Sequence, residues 1–441
     1  MRSWIGWGLC AISLMWLTAC RSATPSAAAN KLQACEIALA RHEGETKLDE
    51  EIRRLQQRIR AGGQQQAQQS LPMIERLGWT YVEKARTAFD PGYYKLAEQC
   101  AACLEARQAQ LPEQKQPEQK PNASALLLRG HVLHSLHRFA EAESAARELV
   151  KQRGLAFDFG LLGDALLEQG KLDEAAAAYQ RMMELKPGPQ AYSRAAHLRW
   201  LKGDTEAARA LMRLSAQASG QGDAEASAWA WSKLALYELQ AGALKQAQVS
   251  CEQALAMQPN YAPALLARGR VLLAENKFEE AVAPLQQAAR LNPLPEYRWT
   301  LADALRAADR NEEARQTEAG LNAGGIGDDP RTFALYLATR GEQTVTALKL
   351  AEEELRNRRD PFTLDALAWA QSAAGLHQDA QQTMQSALTA GTQDARLFLH
   401  AAVIAANAGE TAAARRYSKQ AFTFQTALLP SERNRLRQLT R

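Results

Sequence analysis

"FGLLGDALLEQGKLDEAAAAYQRMMELKP", residues 159–187, reads as two amphipathic helices joined by a short turn. Leu166, Tyr179 and Met182 recur at helical spacing and can fill the space between the two. Gly163 sits in the middle of the first helix and Pro187 closes the second. Gly170 in the turn can take the left-handed conformation that ends a helix, and Asp173 and Glu174 suit the N-terminus that follows. The stretch holds no activated nucleophile, metal cluster or phosphate loop, so what it encodes is packing.

The same pattern recurs along the chain. Aligned on the small residue of the first helix, Gly78, Gly130, Gly163, Ala196, Ala235, Gly269, Ala302, Ala368 and Ala402 correspond. From Gly130 the steps are 33, 33, 39, 34, 33, 66 (two units) and 34 residues. Another alanine follows twelve residues later each time: Ala142, Ala175, Ala208, Ala247, Ala281, Ala314, Ala380 and Ala414. Leu272, Leu285 and Ala288 repeat the inter-helix filling, and the turn "AENKFEEA" offers Asn276 where the opening stretch has Gly170. A Gly or Ala at each crossing lets helix axes approach closely. No single pair can bury its apolar face alone, so several must stack.

A helix pair repeating about every 34 residues, with small residues at both crossings and a terminal proline, resembles the tetratricopeptide repeat. The resemblance implies an all-α, right-handed superhelical solenoid of helix-turn-helix units, about ten of them over residues 71–428. The unit around Gly78 matches on its first helix only, and the unit between Ala302 and Ala368 is divergent but helical. Residues 429–441 read as a capping helix.

Outside the array, residues 32–61 have a continuous helical pattern with heptad-like spacing, and with "GGQQQAQQS" (62–70) they form an N-terminal segment and linker. Low-complexity "QLPEQKQPEQKPN" (110–122) interrupts the array as a loop, and "SAQASGQGDAEAS" (215–227) is a second break in the helical pattern. The 441 residues are 46% hydrophobic and 23% charged, a folded rather than disordered composition. A net charge of +4 with both signs interspersed, and no basic-aromatic stripe, argues against nucleic acid as a partner.

"MRSWIGWGLCAISLMWLTAC" (1–20) carries one positive charge, Arg2, then an apolar run to Leu17 that is short for a membrane span and suits a secretory leader. Leu17-Thr18-Ala19-Cys20 resembles a bacterial lipobox. The resemblance implies cleavage after Ala19, diacylglycerol on Cys20, and a small polar tether over residues 20–31. Acyl chains contribute ~0.8 kcal/mol per buried CH₂, so a multiply acylated Cys20 would hold the chain on a membrane. Arg21, by the sorting habit of such proteins, points to the periplasmic leaflet of the outer membrane.

Cys35, Cys100, Cys103 and Cys251 remain. In a secreted chain they permit a disulfide. Cys100 and Cys103 have CxxC spacing within a helical pattern, where buried thiols, a bond to Cys35 or a redox or metal role are the alternatives. The segment "RHEGETK" lacks the second histidine of a zinc-protease motif, no GxSxG occurs, and "AGGIGDDP" lacks a phosphate-loop lysine. No cofactor and no catalytic residue is expected.

By the resemblance, first helices line the concave face. With the crossing residue as position 8, positions 2, 5, 9, 12 and 13 turn inward. They hold Trp79, His131, His134, Asp164, His197, Trp200, Trp229, Arg270, Trp299, Arg306, Asp365 and Trp369. Five of the six tryptophans beyond the leader lie there, with only Trp231 at a packing position. Spaced Trp and Arg suit a groove that grips a protein or peptide partner, against the plainer reading that the rings pack on neighbouring helices. His131 and His134 share a helix face and form a row with Asp164 and His197, which admits a metal site beside ordinary polar lining. From Glu410 on, Arg415, Arg416, Lys419, Arg433, Arg435, Arg437 and Arg441 make a basic end, read as a solvated capping face or a contact for anionic lipid. The sequence therefore supports a non-enzymatic, lipid-anchored envelope scaffold, with a metal- or redox-handling accessory protein as the alternative.

Overall fold

The computed structural model describes residues 27–62, 67–111, 122–220, 224–324 and 329–439. The leader, Cys20, Arg21 and most of the loop 110–122 lie outside them. Among the described residues the chain is helical throughout, without a strand, and no helix is long and apolar enough to cross a membrane. Ten helix pairs follow one another, from Ala67–Ala88 with Gly92–Gln108 to Ala395–Asn407 with Thr411–Thr423, and form a solenoid. The first pair is complete in both helices, where the sequence pattern supported only one. The divergent unit is also a regular pair, Pro330–Arg340 and Thr344–Asn357. The break at 215–227 is shorter than its composition implied, because helices run to Ala218 and restart at Ala224.

Local chemistry explains the boundaries. Asn122, Asp204, Asp329, Asp360 and Asp394 each accept a backbone N–H from the first turn of the helix they precede. Pro189, Pro295, Pro330 and Pro361 open their helices, where a missing N–H costs nothing. The left-handed turn residue is Gly170 (φ +75°) in one unit and Asn276 (φ +62°) in another, and His137 takes the same role at φ +59°. The crossings are as tight as the small residues require. A Cβ on Gly163 would lie 2.3 Å from Tyr179, and one on Gly269 would lie 2.3 Å from Leu285.

The N-terminal segment departs from expectation. It is two helices, Ala27–Ala38 and Lys47–Ala61, so the first begins inside the tether and the pattern over 32–61 is broken at 39–46. Asp49 makes the break. Its carboxylate accepts from the Thr46 N–H at 2.9 Å and Lys84 at 3.0 Å and bonds His42 at 2.7 Å, which together hold the chain in a capping turn. Burial would raise the Asp49 pKa, but those three partners outweigh it and keep the carboxylate well below its usual range. Cys35 is disulfide-bonded to Cys103, fastening the first helix to Gly92–Gln108. Cys100 is left as a fully buried thiol whose pKa burial pushes up. The CxxC pair is therefore not a dithiol site: its two sulfurs have different partners.

The solenoid also closes on itself. Four successive first helices end on carbonyls that receive a donor from 160–191 residues further along. Arg359 N–H donates to Glu168 O (2.8 Å), Thr392 Oγ1 to Leu201 O (2.6 Å), Thr426 Oγ1 to Leu239 O (3.2 Å) and Arg433 Nη2 to Leu273 O (2.7 Å). Such carbonyls have no partner within their own helix. Turn glycines permit the approach. A Cβ on Gly203 (φ +81°) would sit 2.3 Å from the Gly391 carbonyl oxygen, and one on Gly170 would sit 2.7 Å from that of Arg359. The terminal helix Pro430–Leu439 packs against Pro295–Ala307 and Ala395–Asn407 as part of this closure.

Gly375 shares the φ of +81° but has open space around it. Gly375→Ala should lose only the ~1–2 kcal/mol of a left-handed Cβ. Gly203→Ala should lose a further ~1–2 kcal/mol and weaken hydrogen-exchange protection around residues 391–393. Equal losses would mean that the turn-to-turn contact contributes nothing. Reduction, or Cys35→Ser, should release the first helix from its neighbour. The 68-residue separation corresponds to about 4 kcal/mol of loop entropy, readable as a selective rise in exchange over residues 33–61.

Candidate functional site

A cavity of about 460 Å³ opens on the concave side between the helices Ala156–Glu168, Pro189–Leu201 and Ala224–Gln240. It coincides with an irregular step of the array, the 39 residues from Ala196 to Ala235. The helix at that step has 17 residues where its neighbours have 13, and its extra N-terminal turn carries Glu225 and Ala226 to the rim. Arg86, from the first pair, meets Glu225 at 2.8 Å across the mouth.

Of the residues expected on the concave face, His134, Asp164, His197 and Trp229 line this cavity. Asp164 is not free. Arg194 grips its two oxygens at 2.7 and 2.8 Å, and the Tyr179 hydroxyl donates to it at 2.8 Å. Burial pushes the Asp164 carboxyl up, but the Arg194 guanidinium more than offsets this and holds it below the ordinary range. His197 stacks on Trp200 and its Nδ1 lies 3.2 Å from the Tyr237 hydroxyl. Desolvation, with Lys233 as a secondary cause, lowers the His197 pKa to about 4. His131 lies against Trp79 with the ring centroids 5.4 Å apart and the planes tilted by 57°, and burial first, then His134, lowers its pKa to about 4.

The histidine row does not converge. Among the described residues no three His, Cys, Asp or Glu side chains are placed to hold a metal ion, and Arg194 occupies the carboxylate that would have joined them. His131 and His134 therefore serve as aromatic and polar lining. With Cys103 bonded to Cys35, the described residues bring together neither the histidine row nor the CxxC thiols of the metal- or redox-handling alternative.

The rest of the expected groove is filled by the chain itself. Trp200 is sandwiched between Tyr237 (5.5 Å) and Phe362 (5.2 Å). Trp299 is 6% exposed beneath Arg396, whose guanidinium lies 4.8 Å from the ring. Trp369, 3% exposed, lies against His400 at 4.0 Å and Arg435 at 4.7 Å, and its Nε1 donates to Thr339. Asp365 bonds His400 at 2.9 Å. Arg270 donates to the Ala427 carbonyl at 3.0 Å, and Arg306 pairs with Glu318. Five residues read as partner contacts are thus engaged within the chain: Tyr237 and Phe362 cover Trp200, Arg396 covers Trp299, Glu318 pairs with Arg306, and the segment 424–439 meets Trp369 and Arg270. The basic end is correspondingly less solvated than expected, with Arg433 buried and donating to backbone carbonyls.

Arg86, Arg194, Glu225 and Lys233 line the cavity without having been singled out from the sequence. Arg194 and Lys233 both occupy position 6, two residues before the crossing alanine of adjacent units. A cation repeated at one register position was the available signal.

Residues 161–224 and 238–298 match two models of the tetratricopeptide repeat. The chain is a tetratricopeptide repeat protein, and such a solenoid is a protein-interaction scaffold. Solved structures similar to it include MamA (17% identity, 37% of this chain, 94% of that one, TM-score 0.31). Cut9, in the APC/C hetero-tetramer Cut9–Hcn1, matches at 12% identity over 90% of this chain and 97% of that one, TM-score 0.36. YrrB, a repeat protein with an unusual peptide-binding site, matches at 13% over 39% and 87%, TM-score 0.30. No curated protein sequence matches the chain.

Three imidazoles held neutral set an acid limit on stability. His131, His137 and His197 bind protons near pH 6.5 in the unfolded chain but only near pH 4 in the fold, so the unfolded state takes up more protons between those values. Stability should be complete above about pH 6.5 and decline as the pH falls toward 4. The double variant His131→Gln/His197→Gln should flatten that decline in thermal melts, and an unchanged slope would refute the assignment.

Proposed function

We propose that this protein is a non-enzymatic scaffold that grips a protein or peptide partner in the cavity walled by Trp229, His197, Lys233 and the Asp164–Arg194 pair, and that it does so tethered by lipid at Cys20 in the periplasm. The observation that carries the reading is that cavity: it is the part of the concave face that the chain leaves open, and it presents a 37%-exposed tryptophan among polar groups. Large aromatic faces beside charged groups are what binding hot spots are made of. The Cys35–Cys103 disulfide supports an oxidising compartment, since such bonds are rare where thiols are kept reduced. The lipobox-like leader supports the anchor. Support of an envelope complex is the role that fits a scaffold so placed, with neither a cofactor nor nucleic acid involved.

Cys20→Ala should abolish incorporation of labelled palmitate and move the chain from the membrane to the soluble fraction. Trp229→Ala should remove a stoichiometric partner from complexes purified out of solubilised envelope while helicity stays unchanged. Retention of the same partner by the Trp229 variant would sink the cavity reading.

A further inference from the structure

The charges around the cavity nearly cancel, and the remainder is informative. Arg194 is paired with Asp164, Arg86 with Glu225, and Glu168 with Arg358 of the closing segment. Lys233 is left over. Among the described residues no carboxylate lies within ion-pair distance of its ammonium and no acceptor within hydrogen-bond distance. The two charges nearest in influence are already taken: Glu296 by Arg270 at 3.5 Å and Arg331 by Asp360 at 3.3 Å. Lys233 reaches the solvent of the lumen, yet it is ringed by protein, and desolvation followed by Arg331 lowers its pKa. A cation in such a place is stabilised by an anion from outside.

Trp229 precedes Lys233 by four residues on the same helix, so the two share a face about 6 Å apart along the axis. In an extended peptide, side chains at i and i+2 share a face about 6.6 Å apart. The two spacings match. A phosphate is poorly suited, because Asp164, Glu168 and Glu225 line the same cavity and would repel a second negative charge. A singly charged carboxylate meets the one unpaired ammonium without that penalty.

We propose that Trp229 and Lys233 read an apolar–x–acidic triplet in an extended segment of the partner protein, with the apolar side chain on the indole and the carboxylate on the ammonium. This rests on the cavity being the partner site. Lys233 then sets which peptide is accepted, while Trp229 supplies contact that does not depend on charge.

The full chain, purified in detergent, would be tested on two immobilised nonapeptide libraries with randomised flanks around a central Leu-x-Glu or Leu-x-Gln. The glutamate library should be retained about tenfold better, ~1.4 kcal/mol. Lys233→Met should bring the ratio to one, Lys233→Arg should restore part of it, and Trp229→Ala should weaken both libraries alike. Equal retention of the two libraries, unaffected by Lys233→Met, would overturn the carboxylate assignment while leaving the peptide-binding cavity standing. Retention of neither by a protein of unaltered helicity would overturn both. Binding of N-acetylglutamate alone as tightly as the library would make this a small-acid site and overturn the peptide triplet.

Discussion

The last carbonyls of an α-helix have no partner inside it, and in this solenoid four successive first helices have theirs satisfied by the chain itself, most of two hundred residues later. Everything distinctive about the concave surface depends on that arrangement. An open repeat array would leave the Glu168 and Leu201 carbonyls to water, those of Leu239 and Leu273 with the turn N–H groups of Gly242 and Asn276 alone, and its inward side chains to a ligand. Here the returning segment brings Phe362 onto Trp200, Arg396 onto Trp299 and Arg435 onto Trp369 as it supplies the donors. The contacts are mutually supportive: the turn glycines admit the backbone, the backbone positions the cations, and the cations cover the rings.

The repeat itself was legible because it is local. A Gly163 Cβ has no room beside Tyr179, and a left-handed residue must sit at 170 or 276, so composition at those positions carries the fold directly. The N-terminal break at 39–46 was harder. Its cause, Asp49 holding Thr46, His42 and Lys84 together, involves a lysine 35 residues away, while the apolar spacing on either side runs on as if unbroken. The closure was not legible at all. Periodicity says which face of each helix turns inward, but the pitch that decides whether a later turn of the solenoid lands on an earlier one is a sum of small rotations. Hence Trp299 and Trp369, which the repeat register offers to a partner, are buried against Arg396 and against His400 and Arg435 instead.

The cavity was half legible. Position 9 led to Asp164 and His197, and position 2 to Trp229, because the family geometry fixes those directions. Arg194 and Lys233 escaped because position 6 faces a neighbouring helix in a regular array, and the 39-residue step makes this place irregular. The irregularity was visible as a number before it had a structural meaning. A longer helix at that step, 17 residues against 13, carries its added turn to the rim of the cavity, where Glu225 meets Arg86.

Closure also explains why one part of the inner face can specialise. Where the returning segment lies, buried pairs such as Asp365–His400 and Arg396–Glu432 satisfy each other, and exchanging either member would strand a charge away from water. Those positions are tied to stability. The cavity walls are tied differently: Asp164–Arg194 and Arg86–Glu225 neutralise the lining without using Trp229 or Lys233, both of which are exposed. A rigid, internally satisfied frame with two side chains left unengaged is the arrangement in which binding preference can change without cost to the fold.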